Sequence, residues 1–213
     1  AESVLKRLIE SDPARISDTL VVSLTSLGVI GESLRVHGVN VYVLGMSSGR
    51  DFLTALWRLI KLIRQYQPEI LHTWMYHANL LGGLAARLAG QNNVVWGIHR
   101  SSLSFGSSSK TGLVMKICGL LSYWVPQKII CVAEASKKTH IAAGYNASKI
   151  VVIPNGFDFS QLAAATEQRE ILRQGCRFLK KDLVVGYIGR FHPDKGHDNL
   201  VKAASMMASV QPN

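Results

Sequence analysis

Acidic residues are scarce in this 213-residue sequence, which has 14 Asp and Glu against 24 Lys and Arg and therefore a net charge of +10. Cysteine is rarer still, with only three residues. They include neither a CxxC pair nor the Cys/His spacing of a zinc site. We interpret them as reduced thiols, which excludes a disulfide framework and a structural zinc. Only 6 prolines occur, and 47% of the residues are hydrophobic, so the composition excludes disordered and collagen-like chains.

Long hydrophobic runs are also missing. The longest uncharged stretch, 70–86, contains His72, His77 and Asn79, and it is a poor match to the roughly 20 apolar residues that span a bilayer. Segment 1–11 has the pattern of an amphipathic helix rather than of a signal peptide. We therefore expect a cytoplasmic protein without a membrane span, with a peripheral position on the membrane surface as a further option.

Positive charge is concentrated in one part of the chain. Between Phe52 and Ala133 eight basic residues occur with a single acidic residue, Glu69. Such a surplus suits anionic lipid headgroups, phosphorylated substrates or nucleic acid, and a merely solvated surface is an equally good interpretation. No RNA- or DNA-binding signature accompanies it, so a nucleic-acid partner is not expected.

Seven short runs rich in Val, Ile and Leu alternate with helical patterns. Near-continuous apolar runs without period-2 alternation are typical of parallel strands that are buried on both faces. The strand runs are 18–25, 39–45, 69–74, 93–99, 128–133, 149–154 and 183–189. Helices are predicted at 2–10, 30–37, 51–65, 77–88, 111–123, 135–143, 167–175 and 197–208. This alternation predicts an α/β fold with a doubly wound, Rossmann-like parallel sheet.

A break in the pattern divides the chain. Segment 158–182 has no strand pattern, so we predict a Rossmann-like domain at 1–157, a connector at 158–182, and at 183–213 the start of a second Rossmann-like domain. One strand and one helix cannot bury their own apolar faces, and the chain opens on a helix rather than on a strand. We therefore expect both ends to continue in a larger protein.

Ligands of doubly wound sheets bind at the carboxyl ends of the strands. Arg190 and Lys195 follow the run 183–189 and precede a predicted helix. Two cations beside a helix N-terminus suit a diphosphate, although an ordinary solvated loop is the simpler interpretation of these residues alone. The other candidates at or after strand ends are His72, Trp74, His99, Arg100, Ser101, Glu134, Asn155, Gly156 and Gly189.

Several candidates have a simpler structural interpretation. Glu134 fits the acidic first turn of a helix, and Asn155 with Gly156 fits a turn that permits positive φ. The tryptophans at 57, 74, 96 and 124 lie in apolar contexts and are predicted to pack rather than to stack on sugars. His192 and His197 have no metal-like spacing with carboxylates, so no metal site is expected.

Six blocks together resemble the retaining GT-B glycosyltransferases of family 4, also called group 1. The blocks are AES, HTWMYHANLLGGLAARLAG, WGIHRSS, CVAEASKKTHIAAGY, KIVVIPNGFD and VVGYIGRFHPDKGHDNLVKAA. The resemblance covers essentially the whole chain, and IPNGFD and GRFHPDKG are its most specific parts. Ala1 and Glu2 resemble the end of the family's Gly-Gly-Ala-Glu turn, and the family's Glu-x7-Glu segment has no counterpart in the chain.

The resemblance implies transfer of a hexosyl group from a nucleotide-diphosphate sugar to a saccharide or lipid-linked acceptor, with retention and without an obligatory metal or cofactor. It implies that Arg190 and Lys195 hold the donor diphosphate and that His99 lies near the transferred sugar. Gly189, Asn155 and Gly156 would lie near the donor, and Arg100, Ser101 and His72 on the acceptor side. It further implies cell-surface polysaccharide or glycolipid synthesis, and inactivity of residues 1–213 alone.

Two alternatives remain open on the sequence. One is a nucleotide-sugar epimerase of the same fold, which would act without any acceptor. The other is a non-catalytic basic module that binds polyanions or an anionic membrane surface.

Overall fold

A computed structural model describes residues 2–100, 109–157, 159, 166–189 and 191–210. These residues divide into two compact units, one up to Asn155 and one from Gly156 onward.

The first unit alternates helices and strands. Its helices are α1 (Glu2–Glu10), α2 (Gly28–Val36), α3 (Phe52–Tyr66), α4 (Tyr76–Ala89), α5 (Ser109–Leu121) and α6 (Glu134–Ala142). Its strands are β1 (Leu20–Ser23), β2 (Asn40–Val43), β3 (Leu71–Trp74), β4 (Val94–Ile98), β5 (Lys128–Cys131) and β6 (Ile150–Val152). The predicted order of helices and strands is therefore confirmed in this unit, with boundaries that differ by a few residues.

All strand pairs in the first unit are parallel. β1 pairs with β2, and β3, β4, β5 and β6 form a four-stranded sheet in that order. The register pairs His72 with Val95 and Trp74 with Gly97, so β3 and β4 end side by side. Within the described residues no backbone ladder joins β1 to β3. The architecture confirms the predicted Rossmann-like α/β class, while its strands form two hydrogen-bonded groups rather than one.

The core lies between the four-stranded sheet and helices α3, α4 and α5. Trp96, at the centre of β4, has no exposed surface, as predicted for packing. At Gly83 a Cβ would lie 2.7 Å from a methyl carbon of Val125 and 3.2 Å from the Trp96 ring. Glycine therefore lets α4 approach the sheet closely. Cys118 and Cys131 are buried in the same core, where their free thiols pack as small hydrophobic groups.

The second unit contains two helices, α7 (Thr166–Gly175) and α8 (His197–Val210), in its described residues. The strand predicted at 183–189 is wrong, because no described residue there belongs to a strand and Ile188 is fully exposed. A strand needs a hydrogen-bonded neighbour, and the described part of this unit offers none. An apolar run is thus not sufficient for a strand.

The prediction that all four tryptophans pack was also partly wrong. Trp57 on α3 and Trp124 after α5 are mostly exposed. Trp57 lies on the outward side of α3, where its apolar sequence neighbours belong to the buried side, and Trp124 lies in the turn that follows α5.

Candidate functional site

Two histidines and a tryptophan meet at the carboxyl ends of β3 and β4. His72 and Trp74 are two residues apart on β3, so their side chains leave the same face of the strand. His99 directly follows β4. The Trp74 ring stacks on His99, with ring centroids 4.5 Å apart and an angle of 15° between the planes, and it lies 4.8 Å from His72. We call these three residues the His–Trp cluster.

Gly97 makes the close approach of the two imidazoles possible. A Cβ on this residue would lie 3.2 Å from His72 Nε2, 3.3 Å from the Thr73 carbonyl oxygen and 3.7 Å from His99 Nε2. The rings therefore occupy the space that a side chain on β4 would fill.

Both imidazoles keep a polar atom without a partner. His72 Nε2 and His99 Nδ1 are buried, and neither forms a hydrogen bond within the described residues. Burial, together with the nearby His99, lowers the pKa of His72 to about 4, and burial lowers the pKa of His99 as well. Both rings are therefore neutral near pH 7, and each offers a nitrogen that can donate or accept a hydrogen bond.

The backbone that carries the cluster is strained at one residue. Met75 has φ 73° and ψ 163°, a region populated almost only by glycine. Its N–H donates to the Gly97 carbonyl over 3.0 Å, and its carbonyl accepts from the Asn79 N–H over 2.8 Å. The Asn79 side chain is fully buried, and its amide nitrogen faces this turn. The amide N–H groups donate to the Met75 carbonyl oxygen over 3.2 Å and to the Thr73 hydroxyl oxygen over 2.7 Å. Strain held in this way is typical of functional sites.

The segment after His99 is tied to α6. The buried Ser136 hydroxyl donates to the Arg100 carbonyl over 2.8 Å. Ser136 lies in the first turn of α6, which begins at Glu134, as predicted for an acidic residue at a helix start. Met75, Asn79 and Ser136 were not predicted from the sequence, and no residue pattern distinguishes them.

The remaining predicted residues lie elsewhere or outside the described part of the chain. Asn155 and Gly156 follow β6, where the chain passes from the first unit to the second. The turn predicted there is wrong, because the segment has no assigned turn and neither residue has positive φ. The boundary between the two units lies between these two residues. Ser101 and Arg190 lie outside the described residues.

Lys195 and Gly189 belong to the second unit. Lys195 ends a short 3-10 turn, Pro193–Lys195, directly before Gly196 and α8. Gly196 has φ 66°, a conformation that glycine adopts without strain, so it allows the turn into the helix. The Tyr187 hydroxyl donates to the Lys195 carbonyl, while the Lys195 side chain is exposed. The helix N-terminus and an exposed cation are thus next to each other in sequence, an arrangement that suits an anion.

The described residues hold neither a metal-binding cluster nor a membrane-spanning helix. No group of three His, Cys, Asp or Glu side chains in this part of the chain could hold a metal ion. Nor does any helix within it have the length and apolarity to cross a bilayer.

Comparisons with known proteins agree on one family. The model of Glycosyltransferase Family 4 matches residues 1–161. The chain is 27% identical over 176 residues, 82% of its length, to the Escherichia coli UDP-Gal:alpha-D-GlcNAc-diphosphoundecaprenol alpha-1,3-galactosyltransferase. It spans 45% of that relative's length.

Solved structures give the same fold. Anabaena Alr3699/HepE in complex with UDP-glucose superposes with a TM-score of 0.74 at 23% identity, over 95% of this chain and 53% of that one. The complex of the same protein with UDP and glucose gives the same TM-score and identity, over 95% and 54% of the two chains. These structures support the GT-B, Rossmann-like architecture of the chain.

Proposed function

The chain belongs to glycosyltransferase family 4, and from this we propose that the protein moves a hexosyl group from a nucleotide-diphosphate sugar to a hydroxyl of a saccharide or lipid-linked acceptor. The observation that carries the proposal is the His–Trp cluster at the carboxyl ends of β3 and β4. Neutral imidazoles with unpartnered nitrogens suit sugar hydroxyls, which both donate and accept hydrogen bonds.

We assign His99 the role of orienting the transferred sugar. A neutral imidazole held by stacking on Trp74 can keep one hydroxyl in place as the bond to the donor breaks. No covalent intermediate on His99 is proposed. Arg190 and Lys195 would hold the diphosphate and neutralise the charge of the leaving nucleotide, while His72, Arg100 and Ser101 would face the acceptor. Gly189, Asn155 and Gly156 would lie near the donor.

The printed names of the similar proteins suggest which substrates to test first. The E. coli relative takes UDP-Gal and a sugar on diphosphoundecaprenol, and the Anabaena structures hold UDP-glucose or UDP with glucose. We therefore propose a UDP-hexose as donor and a lipid-linked saccharide as acceptor, with a place in cell-surface polysaccharide or glycolipid synthesis. Retention of configuration, independence of metal and a cytoplasmic, membrane-peripheral location are part of the same proposal.

Transfer is tested by incubating the protein with UDP-hexoses and a saccharide diphosphate lipid, followed by mass spectrometry of the acceptor. We expect a mass gain of one hexose, an α product from an α donor by NMR, and no effect of a chelator. His99→Ala should lower kcat/KM by about 100-fold, the usual loss for one hydrogen-bond donor at a reacting centre. His77→Ala is the matched control, because His77 is exposed at the start of α4.

The outcome also decides between the proposal and its alternatives. Epimerised nucleotide sugar without any acceptor would favour an epimerase, and salt-sensitive polyanion binding that nucleotide sugars do not change would favour a binding module. Residues 1–213 alone are expected to be inactive, so the transfer assay above is made with the full natural protein that carries them. Measurable transfer by that segment would refute this last part only.

A further inference from the structure

The outward side of α5 is apolar. Leu113 and Leu120 are two helical turns apart and are 60% and 67% exposed, while Met115 and Cys118 bury the opposite side in the core. A helix on a protein surface ordinarily has polar residues on its outer side. We call the outward residues of this region the α5 stripe. They are Lys110, Leu113, Lys116, Leu120, Tyr123 and Trp124.

The charged residues of the α5 stripe are all cations. Lys110 and Lys116 are exposed, and neither forms a hydrogen bond or ion pair with a described residue. The sequence has no Asp or Glu from Ile70 to Ala133, so no acidic side chain of this stretch offsets them. Apolar side chains interspersed with uncompensated lysines complement a surface that is both apolar and anionic.

Two aromatic residues continue the α5 stripe past the helix end, and their backbone is held in place. The Arg87 guanidinium donates to the Trp124 carbonyl, and Lys149 Nζ donates to the Tyr123 carbonyl over 2.6 Å. Both rings are nevertheless more exposed than buried. Tyrosine and tryptophan with a fixed backbone and an outward ring are typical of the interface between headgroups and acyl chains.

The cations of α3 are less available than those of α5. Arg58 donates to the Leu44 carbonyl and Arg64 to the Leu88 carbonyl. Lys61 lies over the Trp57 ring, 4.6 Å from its centroid. Although α3 also carries exposed apolar residues, its charges are already engaged within the protein.

We propose that the α5 stripe docks the protein on an anionic lipid bilayer. Leu113 and Leu120 enter the boundary of the acyl chains, Lys110 and Lys116 contact the lipid phosphates, and Trp124 lies at headgroup depth. A second copy of the chain fits the same surface poorly, because a two-fold contact would bring like-charged lysines together. The inference rests on the proposed function only in that docking would bring the site near a lipid-linked acceptor.

Vesicle binding without any substrate tests the docking alone. The protein is sedimented with phosphatidylcholine vesicles, with or without phosphatidylglycerol, at low and high salt. We expect binding only to vesicles with phosphatidylglycerol, weakened by salt. Leu113→Ser with Leu120→Ser should lower the partition coefficient at least about tenfold, because two leucines lose their apolar contact with the lipid. Lys110→Gln with Lys116→Gln should lower it about 30-fold, because each lysine near an anionic surface contributes about 1 kcal/mol.

Matched controls separate docking from a general change of surface. Val29→Ser with Val36→Ser removes apolar residues that are 81% and 86% exposed on α2, and Lys180→Gln with Lys181→Gln removes two exposed lysines of the second unit. Both control variants should bind vesicles like the parent. Equal losses in a control pair, or unchanged binding in both α5 variants, would overturn the proposal. So would a dimer that the leucine variant converts to a monomer, since the stripe would then contact a second copy.

A second measurement places one side chain in the bilayer. Brominated lipids should quench part of the tryptophan fluorescence in anionic vesicles, and Trp124→Phe should remove that part. Quenching that persists in Trp124→Phe would contradict the proposed depth of Trp124. Failure of sugar transfer together with intact vesicle binding would refute the proposed function and leave the docking surface standing.

Discussion

Met75 has a backbone conformation that side chains with a Cβ rarely adopt. Hydrogen bonds to the Gly97 carbonyl and from the Asn79 N–H hold it there. At an ordinary position glycine is about 0.5 to 1 kcal/mol less stabilising than alanine. At Met75 we expect the reverse, with Met75→Gly more stable than Met75→Ala by about 1 kcal/mol, because only glycine relieves the strain. Urea unfolding of the two variants measures the difference, and an alanine variant of equal or higher stability would contradict the strained conformation.

Gly97 leaves the space that His72 and His99 share. Gly97→Ala would place a Cβ 3.3 Å from the Thr73 carbonyl oxygen, a backbone atom that cannot easily move. We expect a loss of about 1 to 3 kcal/mol in the free energy of unfolding. Gly112→Ala is the control, because a Cβ at this position on α5 meets nothing within 4 Å, and alanine favours helix by about 1 kcal/mol. Equal effects of the two substitutions would mean that the rings do not occupy this space.

His72 should make the protein less stable in mild acid. Burial lowers its pKa from 6.5 to about 4, so between these two values the unfolded chain takes up a proton that the folded protein excludes. Stability therefore falls as the pH drops through this window. We expect His72→Gln to flatten this part of the stability profile by roughly 1 to 3 kcal/mol, and His77→Gln to leave it unchanged. A profile of the His72 variant parallel to that of the parent would show that His72 is protonated in the folded protein.

Only some residues of the site could be predicted from the sequence. His72 and His99 could be predicted because strand ends are visible in the hydrophobic pattern and parallel strands end at one edge. The stacking of Trp74 on His99 could not, since a tryptophan in an apolar run looks the same whether it packs in the core or lies at a strand end. Met75 and Asn79 left no signal either, because positive φ at a methionine arises from tertiary hydrogen bonds rather than from local preference.

At the scale of elements, the six strands of the first unit were predicted and the one at 183–189 was not found. The difference lies in their neighbours. Runs such as 128–131 have hydrogen-bonded partners on both sides, β4 and β6, whereas 183–189 has none in the described residues. Hydrophobic patterning therefore predicts that a segment can become a strand, and the availability of a paired edge decides whether it does.

One carboxylate closes the short 3-10 turn Gly49–Asp51 that leads into α3. Asp51 accepts hydrogen bonds from the Ser47 N–H, the Ser47 hydroxyl and the Ser48 N–H at 2.8 to 2.9 Å. These bonds, the one from the Ser47 N–H first, hold its pKa below the usual 3.8. A carboxylate whose pKa is lowered by folding stabilises the folded state at every pH above its ordinary pKa. This contribution to the free energy of unfolding is lost as the pH falls through the lowered pKa.

Asp51→Asn should therefore lower the melting temperature at neutral pH, and the gap to the parent should close in strong acid. Thermal unfolding followed by circular dichroism across this range measures both effects. Glu69→Gln also removes one exposed carboxylate and serves as the control. If the two variants lose equal stability at neutral pH, net charge rather than the hydrogen bonds to Asp51 accounts for the effect.

At the scale of the whole molecule, the positive charge opposes folding. The net charge is +10, and the ion pairs within the described residues are few. They are Lys6–Glu10, Arg15–Asp12, Arg169–Glu170 and the contact of His37 with Glu10. Repulsion among like charges destabilises a compact state, and salt screens it. We therefore expect the melting temperature to rise with sodium chloride concentration.

Lys116→Glu tests whether this repulsion is the cause. Lys116 is exposed and lies in a stretch of sequence without acidic residues, so Lys116→Glu lowers the net charge by two and should raise the melting temperature at low salt. The gain should shrink at high salt, because screening weakens attraction as it weakens repulsion. Lys116→Gln should give a smaller gain of the same sign, since it removes a positive charge without adding a negative one. A melting temperature that falls with sodium chloride would instead mean that the few ion pairs outweigh the surplus of positive charge.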